Sequence, residues 1–306
     1  MRQKLAQLPV RLDDVTMAHA LPSLARPLPS TPPLARAAGP VVKWVGGKGR
    51  LLPELARRAP TSYRSYHEPF VGGGALFFHL APRAAHLSDT NAELIGCYQA
   101  VKSDVEGVIA ALARHRAEHS EAYYYAVREG WNGAARTTPA ERAATFIYLN
   151  KTCYNGLWRV NSSGRFNVPA GRYVNPGILD AERLRAAAAA LAKASVQTAP
   201  FDSVLLEARR GDFVYFDPPY HPISATADFT SYTAEGFGAA DQERLAQCFA
   251  RLDDRGCAVM LSNSDTPYTR RLYARWRVER VLCARAVNSR ADRRGAVGEI
   301  VVTNRF

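Results

Sequence analysis

The run Gly211-Asp-Phe-Val-Tyr-Phe-Asp-Pro-Pro-Tyr220 constrains this chain more than any other stretch. Phe213 to Phe216 reads as a short buried strand. It must end at Pro218 and Pro219, because two successive prolines have no N–H with which to continue a ladder. Such a strand presents Asp217, a backbone carbonyl and Tyr220 at its carboxyl end, where open α/β sheets hold their ligands. An acid, a carbonyl and an aromatic ring side by side suit a planar, amino-bearing ring. The two oxygens accept its amino hydrogens while the tyrosine stacks on its face. An ordinary proline turn reads the same way in isolation, so the weight lies in what accompanies it.

Upstream, Tyr63 to Glu68 reads as a strand, Phe70-Val-Gly-Gly-Gly74 as a glycine turn, and Ala75 to Leu80 as the start of a helix. Ala84 to Ser88 is a second strand ending at Asp89, and Leu51 to Arg58 a helix ahead of the first. This β–turn–α–β unit with an acid at its second tip opens a doubly wound sheet. From Asn91 to about Leu191 the pattern turns helical, with Thr138-Pro-Ala-Glu141 as a capping-box helix start. Within that region the alternation of Tyr154 to Val168 around Asn161-Ser-Ser-Gly164 predicts a β-hairpin. Strands resume at Val214, at Cys257 to Leu261 and at Glu299 to Asn304. The predicted fold is α/β: a doubly wound, Rossmann-like sheet split by an inserted, mainly helical domain that carries a β-hairpin. Residues 41–91 and 195–306 make the sheet domain and 92–194 the insertion. Residues 1–40, with seven of the nineteen prolines, form a flexible Pro/Arg-rich extension.

The glycine turn narrows the ligand. Neither Val71-Gly-Gly-Gly-Ala75 nor Gly46-Gly-Lys-Gly49 meets the G-x-x-x-x-G-K-[ST] requirement of a phosphate-binding loop, and a dinucleotide fingerprint fails at its third glycine, where Phe77 stands. What remains is a loop where backbone comes close to a nucleoside-like ligand, flanked by Glu68 and Asp89. Carboxylates there suit ribose hydroxyls or a cationic amino-acid tail and repel a pyrophosphate. S-adenosylmethionine has both features and no phosphate. A tight turn with structural acids is the plain alternative for each motif taken singly.

A formal net charge of +12 favours polyanionic partners, although an arginine-rich, alanine-rich composition also follows from a GC-rich genome. Against that bias, two of only six lysines, Lys43 and Lys48, fall in one short motif. The five cysteines are odd in number and never in a Cys-x-x-Cys pair, and the histidines show no ligand spacing, so neither a disulfide framework nor a metal site is expected. No apolar run approaches the ~20 residues of a membrane span, and the N-terminus lacks the apolar core of a secretory signal. The expectation is a soluble cytoplasmic, nucleoid-associated protein, a monomer by default.

The informative pieces run in a fixed order. They are Lys43-Trp-Val-Gly-Gly-Lys48, Glu68-Pro-Phe-Val-Gly-Gly-Gly-Ala75, Ser88-Asp-Thr-Asn91, Tyr148-Leu-Asn-Lys-Thr-Cys-Tyr-Asn-Gly-Leu-Trp-Arg159 and Gly164-Arg-Phe-Asn-Val-Pro-Ala-Gly-Arg-Tyr173. Asp217-Pro-Pro-Tyr220 with Phe229-Thr-Ser-Tyr232 and then Leu261-Ser-Asn-Ser-Asp265 complete them. In this order they resemble the Dam-like DNA adenine-N6 methyltransferases, the alpha group of amino-methyltransferases, from about residue 41 to the end. The resemblance implies that Trp44, Lys48, Asp89 and Asp217 bind S-adenosylmethionine, with Glu68, Phe70 and Gly72 in the loop around it and Phe201-Asp202 near its adenine. It implies that the insertion is a target-recognition domain. There Tyr154, Asn155, Leu157, Arg159 and Pro169 match base-reading or duplex-disturbing positions, and Lys43 matches a guanine contact, usually within GATC. Cys153 and Trp158 stand at variable positions, and Ala286 to Arg294 departs from the family pattern.

The implied reaction methylates an adenine flipped out of double-stranded DNA. Asp217, Pro218, Pro219 and Tyr220 position its N6, and neither a metal nor a covalent intermediate is needed. A packed apolar hairpin is the plain reading for Tyr154, Leu157 and Trp158, but flanking Arg159, Arg165 and Arg172 favour DNA contact. Two other readings remain open. One is a different acceptor, such as cytosine-N4, an RNA adenine or a glutamine side chain, and the other is a catalytically silent DNA-binding regulator.

Overall fold

The computed structural model describes residues 37–133, 137–222, 236–283, 297–304 and 306. The predicted extension to residue 36, Phe229 to Tyr232 and Ala286 to Arg294 lie outside the described residues. Seven strands form one sheet: β1 (Tyr66–Glu68), β2 (Ala85–Asp89), β3 (Ala194–Thr198), β4 (Phe213–Phe216), β5 (Ala258–Ser264), β6 (Arg277–Cys283) and β7 (Val297–Thr303). Their order is β3-β2-β1-β4-β5-β7-β6, parallel except for β7, which runs antiparallel between β5 and β6. The chain winds outward from β1 to β3, then returns to place β4 on the other side of β1. The switch point therefore lies between the carboxyl ends of β1 and β4, which the predicted glycine loop and proline turn occupy.

The helix α1 (Leu52–Arg58) precedes β1, and α2 (Ala75–Leu80) follows the glycine turn. Between β2 and β3 lie α3 (Ala92–Ser103), α4 (Val105–Ala117), α5 (Glu121–Asn132), α6 (Pro139–Thr152) and α7 (Ala181–Leu191). After them come α8 (Val204–Glu207), α9 (Ala239–Asp254) and α10 (Pro267–Leu272). The capping box of α6 forms as expected: Glu141 N–H donates to Thr138 Oγ1 at 3.2 Å and Thr138 N–H to Glu141 Oε2 at 3.0 Å. Helix α6 is buried along most of its length, because it packs against α3, α4 and α5 at once. Helix α3 touches β2, β3 and α6, so the helices between β2 and β3 share a core with the sheet that includes Leu94, Tyr98, Phe146 and Phe213. A second core, with Phe216, Phe249, Leu261 and Ile300, lies under α9.

Two local expectations change. Strand β1 is shorter than Tyr63 to Glu68, spanning Tyr66–Glu68; just before it Arg64 N–H donates to the Gly211 carbonyl at 2.9 Å and its guanidinium pairs with buried Asp212 at 3.0 Å. The hairpin has no continuous ladder: only Cys153↔Ala170 and Val160↔Phe166 bridge. Tyr154–Gly156 coils instead into a 3-10 turn with Asn155 in the left-handed region at φ 55°. Trp158 turns inward, with ring centroids 4.2 Å from Phe146 and 4.4 Å from Phe166. For Trp158 the packed reading holds, and DNA contact is overturned by its burial.

Candidate active site

Asp217 sits at the tip of β4, where the described residues engage one of its oxygens and leave the other open. Its Oδ1 accepts the Lys48 ammonium at 2.7 Å and the Ser262 hydroxyl at 2.9 Å. Lys48, only 8% exposed, also donates to the Gly46 carbonyl at 2.5 Å and lies 4.6 Å above the Tyr220 ring. Asp217 Oδ2 has no hydrogen-bond donor among the described residues. The proline turn is held in the same selective way. The Pro219 carbonyl accepts Gln242 Nε2 at 2.9 Å, whereas the Pro218 carbonyl has no donor among the described residues. Asn263 fixes Gln242 through a 3.0 Å bond and accepts His221 N–H at 3.0 Å. Tyr220 is pinned by its hydroxyl, which donates to Glu299 on β7 at 3.0 Å. Among the described residues the turn thus keeps two acceptors open beside one aromatic ring.

Burial raises the Asp217 carboxyl above the ordinary aspartate range, against the pull of Lys48 and Ser262. Behind it Glu68, 3% exposed, accepts the Tyr66 hydroxyl at 2.8 Å. Burial, with the nearby Asp217 charge, pushes Glu68 up to about 8 despite that hydrogen bond. Glu68 therefore lies beneath the glycine loop as a protonated group at neutral pH.

The loop itself is shaped by Gly72, at φ 45°. A Cβ there would stand 2.8 Å from Trp44 Cδ1, so only glycine lets the indole lie against the backbone. Tyr98 anchors the Gly72 carbonyl at 2.7 Å, and Gly72 N–H donates to Asp89 Oδ2 at 3.1 Å. Asp89 Oδ1 takes Asn91 N–H at 3.0 Å, and the Thr90 N–H also favours the carboxylate, which leaves at least one of its lone pairs. Burial raises this carboxyl as well. Phe70 stacks on Phe201 with centroids 5.3 Å apart, and Phe237 closes the group edge-on. Asp202 faces Arg244 at 3.5 Å beside this aromatic patch.

The second group of expected residues gathers at the insertion. Asn150 on α6 clips Lys43 from both sides, accepting its N–H and donating to its carbonyl, each at 2.7 Å across 107 residues of sequence. The same amide reaches the Gly156 carbonyl at 3.2 Å, so Lys43 lies beside the Tyr154–Gly156 turn. The Lys43 ammonium rests 4.3 Å over the Tyr173 ring. Tyr154 is 52% exposed and its N–H holds the Pro169 carbonyl at 2.9 Å. Arg159 is exposed, with Nε donating to Asn167 Oδ1 at 3.0 Å. Leu157 is half-buried against the core. Arg165 pairs with Glu129 at 3.0 Å, which ties it to α5.

Sequence reasoning gave no role to Ser262, Tyr215, Gln242, Asn263, Glu299 or Asn150. Of these, Tyr215, Ser262, Asn263 and Asn150 stand inside quoted motifs, and that was their only signal. The fold also stacks His67 on His86, with centroids 4.5 Å apart and planes within 7°, beside Glu207. Parallel rings place no point in both planes, so this trio does not have the geometry of a metal site as it stands.

The family model for D12 class N6 adenine-specific DNA methyltransferases matches residues 44–286. The Type II methyltransferase M1.LlaDCHI of Lactococcus lactis subsp. cremoris is 44% identical over 269 residues, which cover 87% of this chain and 95% of that protein. The Type II methyltransferase M.MjaIII of Methanocaldococcus jannaschii is 38% identical, covering 87% and 98%. The DNA adenine methylase of Escherichia coli K12 is 36% identical, covering 85% and 93%. A family match over most of the chain, with relatives aligned along nearly their whole length, shows that the chain belongs to the D12 class N6 adenine-specific DNA methyltransferases.

Proposed function

We propose that this enzyme transfers a methyl group from S-adenosylmethionine to N6 of an adenine flipped out of duplex DNA, within GATC. The observation that carries the chemistry is the pair of open acceptors, Asp217 Oδ2 and the Pro218 carbonyl, next to the Tyr220 ring. An adenine amino group has two hydrogens to donate, and its face stacks on a tyrosine for about 1–3 kcal/mol. That offsets part of the few kcal/mol that extrusion costs. Hydrogen bonds from both N6 hydrogens to Asp217 and Pro218 draw the nitrogen lone pair out of conjugation with the ring and make it nucleophilic. Asp217, ionised, is also the acceptor for the proton that N6 sheds.

The residues around the glycine loop fit the donor. The Gly72–Trp44 approach leaves no room for a Cβ, and the half-buried Asp89 keeps at least one lone pair for a ribose hydroxyl. Trp44, Lys48 and Asp89 would hold the molecule, with Phe70, Phe201 and Asp202 at its adenine and Glu68 supporting the loop from below. When bound, S-adenosylmethionine supplies a methyl group activated by a sulfonium.

In this reading residues 92–194 are the target-recognition insertion and 41–91 with 195–306 the catalytic domain. Lys43, Tyr154, Asn155, Leu157, Arg159 and Pro169 read the site. Support comes from Asn150, which joins Lys43 of one segment to the Tyr154–Gly156 turn of the other. The test is transfer of labelled methyl from S-adenosylmethionine to duplexes carrying GATC or its single-base variants. Transfer confined to the GATC adenine is expected. Preference for another sequence overturns the specificity, and no transfer to any duplex overturns the activity.

A further inference from the structure

Asp217 has two oxygens, and the methyl acceptor needs one of them. Ser262 and Lys48 both bind Oδ1, at 2.9 and 2.7 Å, and neither binds Oδ2. Their anchorage differs. Lys48 reaches Asp217 through four methylenes from a loop, whereas Ser262 is fully buried in β5, whose Leu261 is registered against Phe216 at the end of β4. A serine hydroxyl has one hydrogen. Ser262 spends it on Asp217, so the Tyr215 hydroxyl, 2.9 Å from Ser262 Oγ, is the donor in that pair. Tyr215 is itself buried in β4. The relay Tyr215→Ser262→Asp217 Oδ1 thus joins rigid strands at both ends.

We infer that Ser262 is a positioning residue for methyl transfer, holding Asp217 Oδ1 so that Oδ2 alone faces the target amino group. The inference rests on the reading of Asp217 as acceptor of an N6 hydrogen. A carboxylate free to rotate about its last torsion presents either oxygen, and a second donor on Oδ2 competes with the amine. The Ser262 bond removes that freedom whether or not Lys48 remains in place. It also favours the charged form. The titratable groups that act on or with Asp217 are Lys48 from the loop before α1, Glu68 on β1, Tyr215 on β4 and Tyr220 in the turn, with Glu299 on β7 behind Tyr220. Lys48 is the cation among them, and its bond and that of Ser262 oppose the upward push of burial.

The test compares wild type, Ser262→Ala, Ser262→Thr and Tyr215→Phe in single-turnover methylation of a duplex substrate across pH, with melting temperatures recorded for each. Wild type must first transfer methyl groups; if it does not, the proposed function fails and not this inference. In Ser262→Ala the rate falls about 10- to 100-fold, the loss of one hydrogen bond to a charged group. The KM for S-adenosylmethionine stays within about threefold. The acid limb of the rate profile moves to higher pH, because the carboxylate has lost a donor that kept it ionised. Ser262→Thr keeps the hydroxyl and recovers most of the rate and the original limb. A wild-type rate and limb in Ser262→Ala overturns the inference. So does an equal loss in Ser262→Thr with an unchanged melting temperature, which makes the role one of packing. If Ser262→Ala does not fold, Tyr215→Phe decides: a smaller loss with the same limb shift supports the relay, and an unchanged rate and limb overturns it.

Discussion

Replacing Asp217 by asparagine separates the two jobs its carboxylate performs. The amide has a single oxygen, while the site makes two demands on acceptors: Lys48 and Ser262 on one side, the target amine on the other. With the oxygen toward Lys48 and Ser262, the existing bonds survive in weakened form and an NH2 group faces the amine, donor against donor. The lost charge-assisted bond is worth about 1.5–3 kcal/mol and the unsatisfied donor about 1–3 more. Together these predict a 10²- to 10⁴-fold fall in rate, taking about 1.4 kcal/mol for each factor of ten. The alternative orientation turns the NH2 group onto a buried ammonium and is worse. Lys48→Met removes one of the two claims on the oxygen, and the Ser262 hydroxyl, unlike an ammonium, can accept the amide NH2, so the amide turns toward the substrate and the double variant methylates faster than Asp217→Asn alone. The assay is single-turnover transfer of labelled methyl at saturating cofactor, which takes weakened cofactor binding out of the comparison. Activity of Asp217→Asn within tenfold of wild type, or a double variant slower than the single one, refutes the partition between the two oxygens.

Gly72→Ala forces a Cβ to within 2.8 Å of Trp44 at a φ of 45°, so the indole must move. Affinity for S-adenosylmethionine falls at least tenfold by calorimetry, with about 1–2 kcal/mol lost from stability through the left-handed backbone alone. Glu68 carries a pKa raised to about 8, above its unfolded value, so its contribution to stability is full below the unfolded value and is lost as pH rises through 8. Glu68→Gln removes this dependence. Wild type should lose roughly 5 °C of melting temperature relative to the variant between pH 6 and pH 9. Arg159→Ala costs about 1–3 kcal/mol of discrimination at one base pair if the guanidinium reads a base edge. It appears as near-cognate duplexes gaining on GATC, whereas an equal loss on all duplexes with a flatter salt dependence makes Arg159 a phosphate contact.

The sequence by itself determined the pieces whose physics is local. Two prolines end β4 at Asp217 whatever surrounds them, a triple glycine permits the left-handed turn at Gly72, and Thr138 with Glu141 starts α6. These sit at the tips and starts of elements, where backbone chemistry decides. Edge strands were not legible. Ala194–Thr198 is half exposed, with one valine, and becomes β3 because β2 offers it a ladder. Arg277–Cys283 becomes β6 by pairing with β7, a partner that follows it in the chain. The alternation around Asn161 signalled a segment with one apolar face. Packing of Trp158 among Phe146 and Phe166 decided that the face turns inward, with two bridges in place of a ladder. Register across the sheet decided the rest. It puts Ser262 within reach of Asp217 and brings Glu299 to Tyr220. Chain crossing lets Asn150 clip Lys43 beside the turn at Tyr154. A motif states which groups are present. Which oxygen of Asp217 is bound and which is left open follows only from strands meeting side by side, a long-range geometry that no local pattern encodes.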